Sequence, residues 1–252
     1  MSQSPDAAQQ RIDALQLELQ LARDALEDFT HSVSHDLRAP VRHINAYLKI
    51  IREDLGEWVE PEIASHLQTV ADSAALIVRQ LDALQELSRI ARVELQLADV
   101  DLSRLLIGVQ VQLAAEHADR PVQWRIQASL PLVRGDQALL GQMLTQLLGN
   151  SLKFSAASAP AVIEVSGSPC DDEMLELRIS DNGVGFDSRF QDQLFRVFQR
   201  LHSSRQFAGL GTGLAFSRRV AERHGGSISV RGDLAPGCCV TLRLPLAAAL
   251  SQ

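Results

Sequence analysis

The chain has 252 residues, 46% of them hydrophobic, with 24 Lys plus Arg against 31 Asp plus Glu and a net charge of −7. That is enough apolar side chain for two modest globular domains, and an acidic balance without basic tracts gives nucleic acid no electrostatic reason to bind. Three cysteines, two of them adjacent at Cys238 and Cys239, make no disulfide framework and suit a reducing compartment. The first residues are polar and no apolar run approaches the roughly 18 residues of a membrane span, so the expectation is a cytoplasmic protein without signal peptide or anchor.

Residues 1–9 have no apolar period and are expected to be a flexible tail. From residue 10 onward Ile12, Leu15, Leu19, Ala22, Leu26, Phe29 and Val33 alternate three- and four-residue steps, the pattern of a coiled-coil seam. His35 lies two residues past that seam, which places it beside the buried stripe and in reach of solvent. Pro40 is expected to end or kink the helix, since it lacks an N–H and clashes with the preceding turn. Val41, Ile44, Leu48, Ile51 and Leu55 then resume the seam in a shifted phase, up to Gly56. A second helix opens near Pro61 with the seam Ile63, Leu67, Val70, Ala74, Ile77, Leu81 and Leu84. Residues 10–95 thus read as an α-helical hairpin. Two amphipathic helices cannot bury both stripes alone, so the expected state is a homodimer closing a four-helix bundle. A monomeric hairpin packed on the rest of the chain is the alternative.

Between residues 93 and 101 the helical period gives way to the alternating Val-Glu-Leu-Gln-Leu, an extended linker or edge strand. A second domain follows over residues 100–246, with 247–252 as a tail. Its signals run helix 102–116, strand 122–128, helix 136–154, strands 161–166 and 174–180, helix 211–224, and strands 227–231 and 238–244. Helices set against a mostly antiparallel sheet make an α/β two-layer sandwich.

Four short stretches carry chemistry. Asp36 beside His35 could hold the imidazole in one tautomer, raise the basicity of the free nitrogen and accept a proton when the ring acts as a nucleophile; a lone histidine on a polar face is otherwise a solvated residue. Asn150-Ser151-Leu152-Lys153-Phe154 ends a helix with an amide oxygen suited to Mg²⁺ and a lysine suited to phosphate, although the same residues also make an ordinary helix end. Asp181-Asn182-Gly183-Val184-Gly185 follows a strand, so Asp181 could accept from an adenine amino group while the glycines let the base approach the backbone; Asp-Asn-Gly is equally a common turn. Gly209-Leu210-Gly211-Thr212-Gly213-Leu214 leads into a helix whose N–H groups can face phosphate. It is no Walker loop, lacking Gly-Lys-Ser/Thr, and it lacks the β-turn-α setting of a dinucleotide site.

Taken in order, these stretches resemble the sensor histidine kinases of two-component systems, over nearly the whole chain from about residue 10. Ser34-His35-Asp36-Leu37-Arg38-Ala39-Pro40 looks like the phosphoacceptor box in its phytochrome-like variant, and Asn150 to Ser155 looks like the N box. Asp181 to Gly185 and Gly209 to Gly213 resemble the two Gly boxes, and Phe195-Arg196-Val197-Phe198 the F box. The resemblance implies a dimerisation and histidine-phosphotransfer hairpin followed by an ATP-binding domain of the Bergerat/GHKL type shared with gyrase, Hsp90 and MutL. It implies His35 as phosphoacceptor with Asp36 as its partner, and Mg²⁺ on Asn150. It further implies ATP on Asn150, Lys153, Asp181, Gly183, Gly185, Gly209, Gly211, Thr212, Gly213 and Leu214. Phe195 and Phe198 become lid anchors, although on sequence alone an aromatic pair at that spacing fits a core equally. Phosphoryl transfer to an aspartate of a response-regulator receiver domain is the implied output.

Two positions depart from the family pattern. Gln146 stands where an earlier asparagine is common, and could still supply an amide oxygen to the metal. Ala39 stands where Thr or Asn positions a hydrolytic water in many members, which predicts weak or absent phosphatase activity. No sensor segment is legible ahead of the coiled coil, which assigns signal input to a separate protein or to a domain outside these residues. Two rivals remain at this stage. One is a nucleotide-gated docking dimer, against which intact His35, Asp36 and Asn150 count. The other is an ATPase machine, which would want a transducer domain after residue 245. His43, His202 and His224 read as surface or helix-end residues.

Overall fold

The structure is a computed structural model that describes residues 5–56, 60–171, 173–203, 206–232 and 237–247. Within the expected tails, residues 1–4 and 248–252 lie outside the described residues. The chain divides into two units, Met1–Arg89 and Ile90–Gln252.

The first unit is built from two helices, α1 (Pro5–Leu55) and α2 (Pro61–Arg92), the last turn of α2 belonging to the second unit. Residues 5–9, expected as tail, are helical: Pro5 suits a first turn because its missing N–H would be unpaired there anyway. α1 also continues through Pro40 instead of ending there. The lost backbone hydrogen bond is local, whereas packing against α2 is maintained on both sides of it. Ser34, Val41 and Leu48 of α1 are buried, as are Ala74 and Leu81 of α2. Arg38 donates to Asp82 Oδ1 and Gln85 Oε1, both at 2.6 Å, and Arg52 donates to Gln68 Oε1 at 2.8 Å. The hairpin uses only half of each seam: Ile44, Ile51, Leu55, Ile63, Val70 and Ile77 stay 40–46% exposed. The side chains of Ile12, Leu19 and Leu26 lie outside the described residues.

The second unit contains a five-stranded sheet in the order β2-β4-β5-β7-β6, where β2 is Val122–Ile126, β4 Ala161–Asp171, β5 Met174–Asp181, β6 Ser227–Arg231 and β7 Cys238–Pro245. β2 runs parallel to β4 and the remaining pairs are antiparallel. Alternation sorts the sheet into two faces. Leu175, Leu177 and Ile179 of β5 are fully buried while Glu176 and Arg178 between them pair with each other on the open face. The covering layer is α3 (Leu102–Glu116), α4 (Gln137–Phe154) and α5 (Gly213–Arg223). α4 buries Leu139, Leu140, Met143, Leu144, Leu147, Leu148 and Leu152, the wide stripe of a helix at the centre of a core. The α/β two-layer sandwich and its mostly antiparallel sheet are as the pattern predicts.

Two elements differ from expectation. β4 continues to Asp171, five residues past its expected end at Ser166, because it pairs with β5 across a register shift at Pro169. A short strand β3 (Val133–Asp136) pairs antiparallel with β1 (Leu97–Val100) in a separate two-stranded sheet. Neither strand holds alone: its support comes from the partner and from Asp136. That carboxylate caps α4 through Ala138 N–H (3.0 Å) and Leu139 N–H (3.1 Å), and its second oxygen takes Gln96 N–H at 3.0 Å.

Candidate functional site

In the first unit His35 and Asp36 stand on α1 with their side chains 76% and 75% exposed. His35 Nδ1 lies 3.2 Å from Asp36 Oδ1. An ionised carboxylate only accepts, so this contact places the proton on Nδ1 and leaves the Nε2 lone pair facing solvent.

In the second unit one cavity lies between α4, the start of α5, the ends of β5 and β7, and the segment before α5. It brings together Gln146, Asn150, Lys153, Asp181, Gly185, Gly209, Gly211, Thr212, Gly213 and Leu214. α4 presents the first three because residues three and four apart share a helix face. The start of α4 is tied to the end of α5: His224 Nε2 accepts from Asp136 N–H at 2.9 Å while Nδ1 donates to Val220 O at 2.7 Å. Burial alone would push the Asp136 carboxyl up, but the N–H groups of Leu139, Gln96 and Ala138, with His224, hold it below its ordinary value. His224 is therefore a helix-end residue as expected, buried and structural.

Asp181 closes one end of the cavity. Its Oδ1 accepts from Gly183 N–H at 2.9 Å, and Ser151 and Cys238 beside it also favour the ionised form. Burial nevertheless pushes its pKa above the ordinary value, because desolvation outweighs the neighbours that favour the ionised form. Cys238 beside it has its thiol pushed up to about 12 by burial first, then by Asp181 and Cys239, and so forms a neutral wall. Gly183 itself does not line the cavity; it orients Asp181, and a Cβ there would lie 2.6 Å from Phe154 O.

The glycine run forms another part of the lining. Gly211 has φ +76°, and a Cβ there would lie 2.5 Å from Gln199 O, so the loop accepts no side chain at that point. Thr212 makes no side-chain cap for α5, which leaves the first-turn N–H groups open toward the cavity. Gly213 lets two amides close in: a Cβ there would lie 2.9 Å from Gln146 Oε1 and 3.3 Å from Asn150 Nδ2. The two carboxamides thus share one corner, with Lys153 one turn further along α4.

Phe195 and Phe198 do not line the cavity. Phe195 sits under Arg218 of α5, whose guanidinium carbon is 5.7 Å from the ring centroid. Phe198 has φ 65° and donates its N–H to Gly211 O at 3.0 Å, turning the chain into the glycine run. Arg200, His202 and Phe207 also line the cavity and were not read from the sequence as part of the site. His202, expected on the surface, is half-buried there. Its ring packs against Phe154 and Phe207. Arg200 donates to Phe207 O. Lys153 Nζ stands 4.4 Å from the Phe154 ring centroid, and burial first, then Arg200, lowers its pKa. The cavity therefore offers two cations, an amide corner, open helix N–H groups and a carboxylate, with apolar side chains among its walls. That is a layout for a nucleoside polyphosphate. Among the described residues no three His, Cys, Asp or Glu side chains are grouped to hold a metal ion, and no helix is long and apolar enough to cross a membrane.

Two family models match. Residues 25–92 match the "His Kinase A (phospho-acceptor) domain", and residues 135–248 match the "Histidine kinase-, DNA gyrase B-, and HSP90-like ATPase". The chain is 30% identical over 224 residues to cyanobacterial phytochrome B of Nostoc sp. strain PCC 7120, covering 88% of this chain and 30% of that protein. It is 27% identical over 246 residues to the sensor protein FixL of Bradyrhizobium diazoefficiens, covering 95% of this chain and 48% of that one. The chain thus spans less than half the length of either relative. The fold is similar to that of ShkA, solved in complex with AMPPNP, with a TM-score of 0.61 over 88% of this chain and 46% of that one at 23% identity.

Proposed function

Because this chain belongs to the histidine kinases, joining their phosphoacceptor domain to their ATP-binding domain, we propose that it phosphorylates itself on His35. The phosphoryl group then passes to an aspartate of a response-regulator receiver domain. The observation that carries this reading is the His35–Asp36 contact, which leaves Nε2 bare and solvent-facing in a chain that also holds an ATP-type cavity. In the reaction Nε2 forms the N–P bond to the γ-phosphorus as the β,γ-bridging bond breaks, and ADP leaves with the bond electrons. The Nδ1–H bond to Asp36 stabilises the positive charge that develops on the ring.

Within the cavity Asp181 accepts from the adenine amino group. Lys153, Arg200 and the N–H groups of Gly209 to Gly213 meet the phosphates, with Thr212 and Leu214 continuing that wall. Positioning and charge neutralisation supply most of the rate. The corner shared by Asn150 and Gln146 suits Mg²⁺, which takes neutral amide oxygens readily and keeps most of its shell from water and phosphate. When bound there, the ion neutralises phosphate charge. Phe195 and Phe198 anchor the segment that leads into the glycine run. The half-exposed seam of Ile44, Ile51, Leu55, Ile63, Val70 and Ile77 is the face that a second copy covers in a homodimeric four-helix bundle. Signal input enters from a separate sensor protein or an attached sensor domain. The setting is the cytoplasm.

The test is transfer. Protein labelled from γ-labelled ATP, freed of nucleotide and mixed with a purified receiver domain, should lose acid-labile label as the receiver gains base-labile label. Fragment mapping should place the donor phosphoryl group on His35. Label retained in the presence of every receiver tried, or mapped to another residue, overturns this reading.

A further inference from the structure

The cavity carries a group that the phosphate chemistry above does not use. Phe154, His202 and Phe207 form a closed three-ring cluster, with centroid separations of 5.6 Å, 5.0 Å and 5.3 Å. Tilted and edge-on pairs at these distances are favourable beyond the area they bury. His202 adds a polar bond: its Nε2 lies 3.0 Å from Gly185 O. A carbonyl only accepts, so the proton sits on Nε2. The acceptor is held rigidly, because Gly185 has φ +61° and a Cβ there would lie 2.8 Å from Gly237 O.

Both cavity cations are attached to this cluster. Lys153 stands over the Phe154 ring at 4.4 Å. Arg200 lies two residues before His202 and its guanidinium holds Phe207 O. A displacement of the His202 ring therefore shifts the supports of both charges together, whereas the hydrogen bond that holds the Asp181 carboxylate comes from Gly183 N–H.

We propose that His202 is a positioning residue for triphosphate recognition: its ring and its single N–H to Gly185 O set where Lys153 and Arg200 stand, without contributing to adenine recognition. This rests on the reading of the cavity as an ATP site with those cations at the phosphates. A purely packing role would weaken every ligand of the cavity alike and lower the melting temperature. The positioning role instead separates ATP from adenosine.

The experiment measures Kd for ATP, ADP and adenosine on the full chain by competition against a fluorescent adenine nucleotide, with a melting curve of each ligand-free variant. His202→Phe keeps a ring without the donor, His202→Gln keeps a donor without the ring, and His202→Ala removes both. His202→Ala, which loses the hydrogen bond and both ring pairs, should weaken ATP about tenfold or more, and His202→Phe, which loses the hydrogen bond alone, about threefold. Adenosine should change by less than about twofold. ATP affinity unchanged in all three variants overturns the proposal, as does equal weakening of ATP and adenosine in His202→Phe. Wild-type protein that binds adenosine but no ATP overturns the phosphate assignment beneath the proposal, and the proposal with it.

Discussion

Burial moves the two charged ends of the cavity in opposite directions. Lys153 is lowered by desolvation and by Arg200, and Asp181 is raised by desolvation. As pH rises through the lowered pKa, the ammonium is lost before an ordinary lysine would lose it. ATP affinity should therefore fall on an alkaline limb below the usual lysine range, and Lys153→Arg should remove that limb. As pH falls through the raised pKa of Asp181, its carboxylate protonates above the usual carboxylate range and stops accepting from the adenine amino group. The sign for folding is the reverse. A raised carboxylate pKa means that ionisation costs stability in the free protein, and this cost is relieved as pH falls through the folded-state value. Titrations of ATP affinity and of ligand-free melting across that acid window should move oppositely; movement in the same direction would contradict a desolvated, adenine-reading Asp181. Gly237 gives a separate residue-scale test. Its φ is +128° and a Cβ would overlap the Asp181 carbonyl, so Gly237→Ala should cost about 3 kcal/mol or more in a denaturant melt. At this scale the motif residues were legible because their chemistry comes as fixed short strings. Arg200, His202 and Phe207 were not, since they lie in an aperiodic segment and meet Phe154 only through the fold. The run Arg200-Leu201-His202 between the F box and the glycine run was the one available signal.

Elements with a long apolar period were legible almost to their ends: α3 matches its expected bounds and α4 begins one residue later, with Asp136 as its cap. β3 was missed because Val-Arg-Gly-Asp carries neither alternation nor length, and its stability comes from pairing with β1 and from the Asp136–His224 bond. Pro40 was expected to end or kink the helix, and α1 does not end there. A single lost hydrogen bond was weighed without the interhelical contacts of Arg38 and Arg52, which hold α1 on α2 on either side of it. The seam carries the element-scale prediction. Ile51 and Ile77 are 41% and 40% exposed, so the double change Ile51→Glu, Ile77→Glu should leave the hairpin folded but convert a dimer to monomer by light scattering. A dimer that persists at low micromolar concentration would remove that face from the interface.

For the whole molecule, the loss of helical period put the expected boundary at residues 93–101, and the chain divides into the units Met1–Arg89 and Ile90–Gln252. The proposed reaction would draw on both units, the His35 imidazole of one and the cavity of the other. Ala39, four residues after His35, offers no side-chain oxygen or nitrogen to hold a hydrolytic water. Addition of this protein should therefore leave the lifetime of a phosphorylated receiver domain unchanged, and clear acceleration would contradict that expectation. The decisive measurement is incubation with γ-labelled ATP and Mg²⁺ of the wild type beside His35→Gln and Asn150→Ala. Acid-labile, base-stable label on the wild type that vanishes in both variants is the predicted result. Label that survives in His35→Gln, or no label on wild-type protein that demonstrably binds ATP, would contradict a kinase acting through His35.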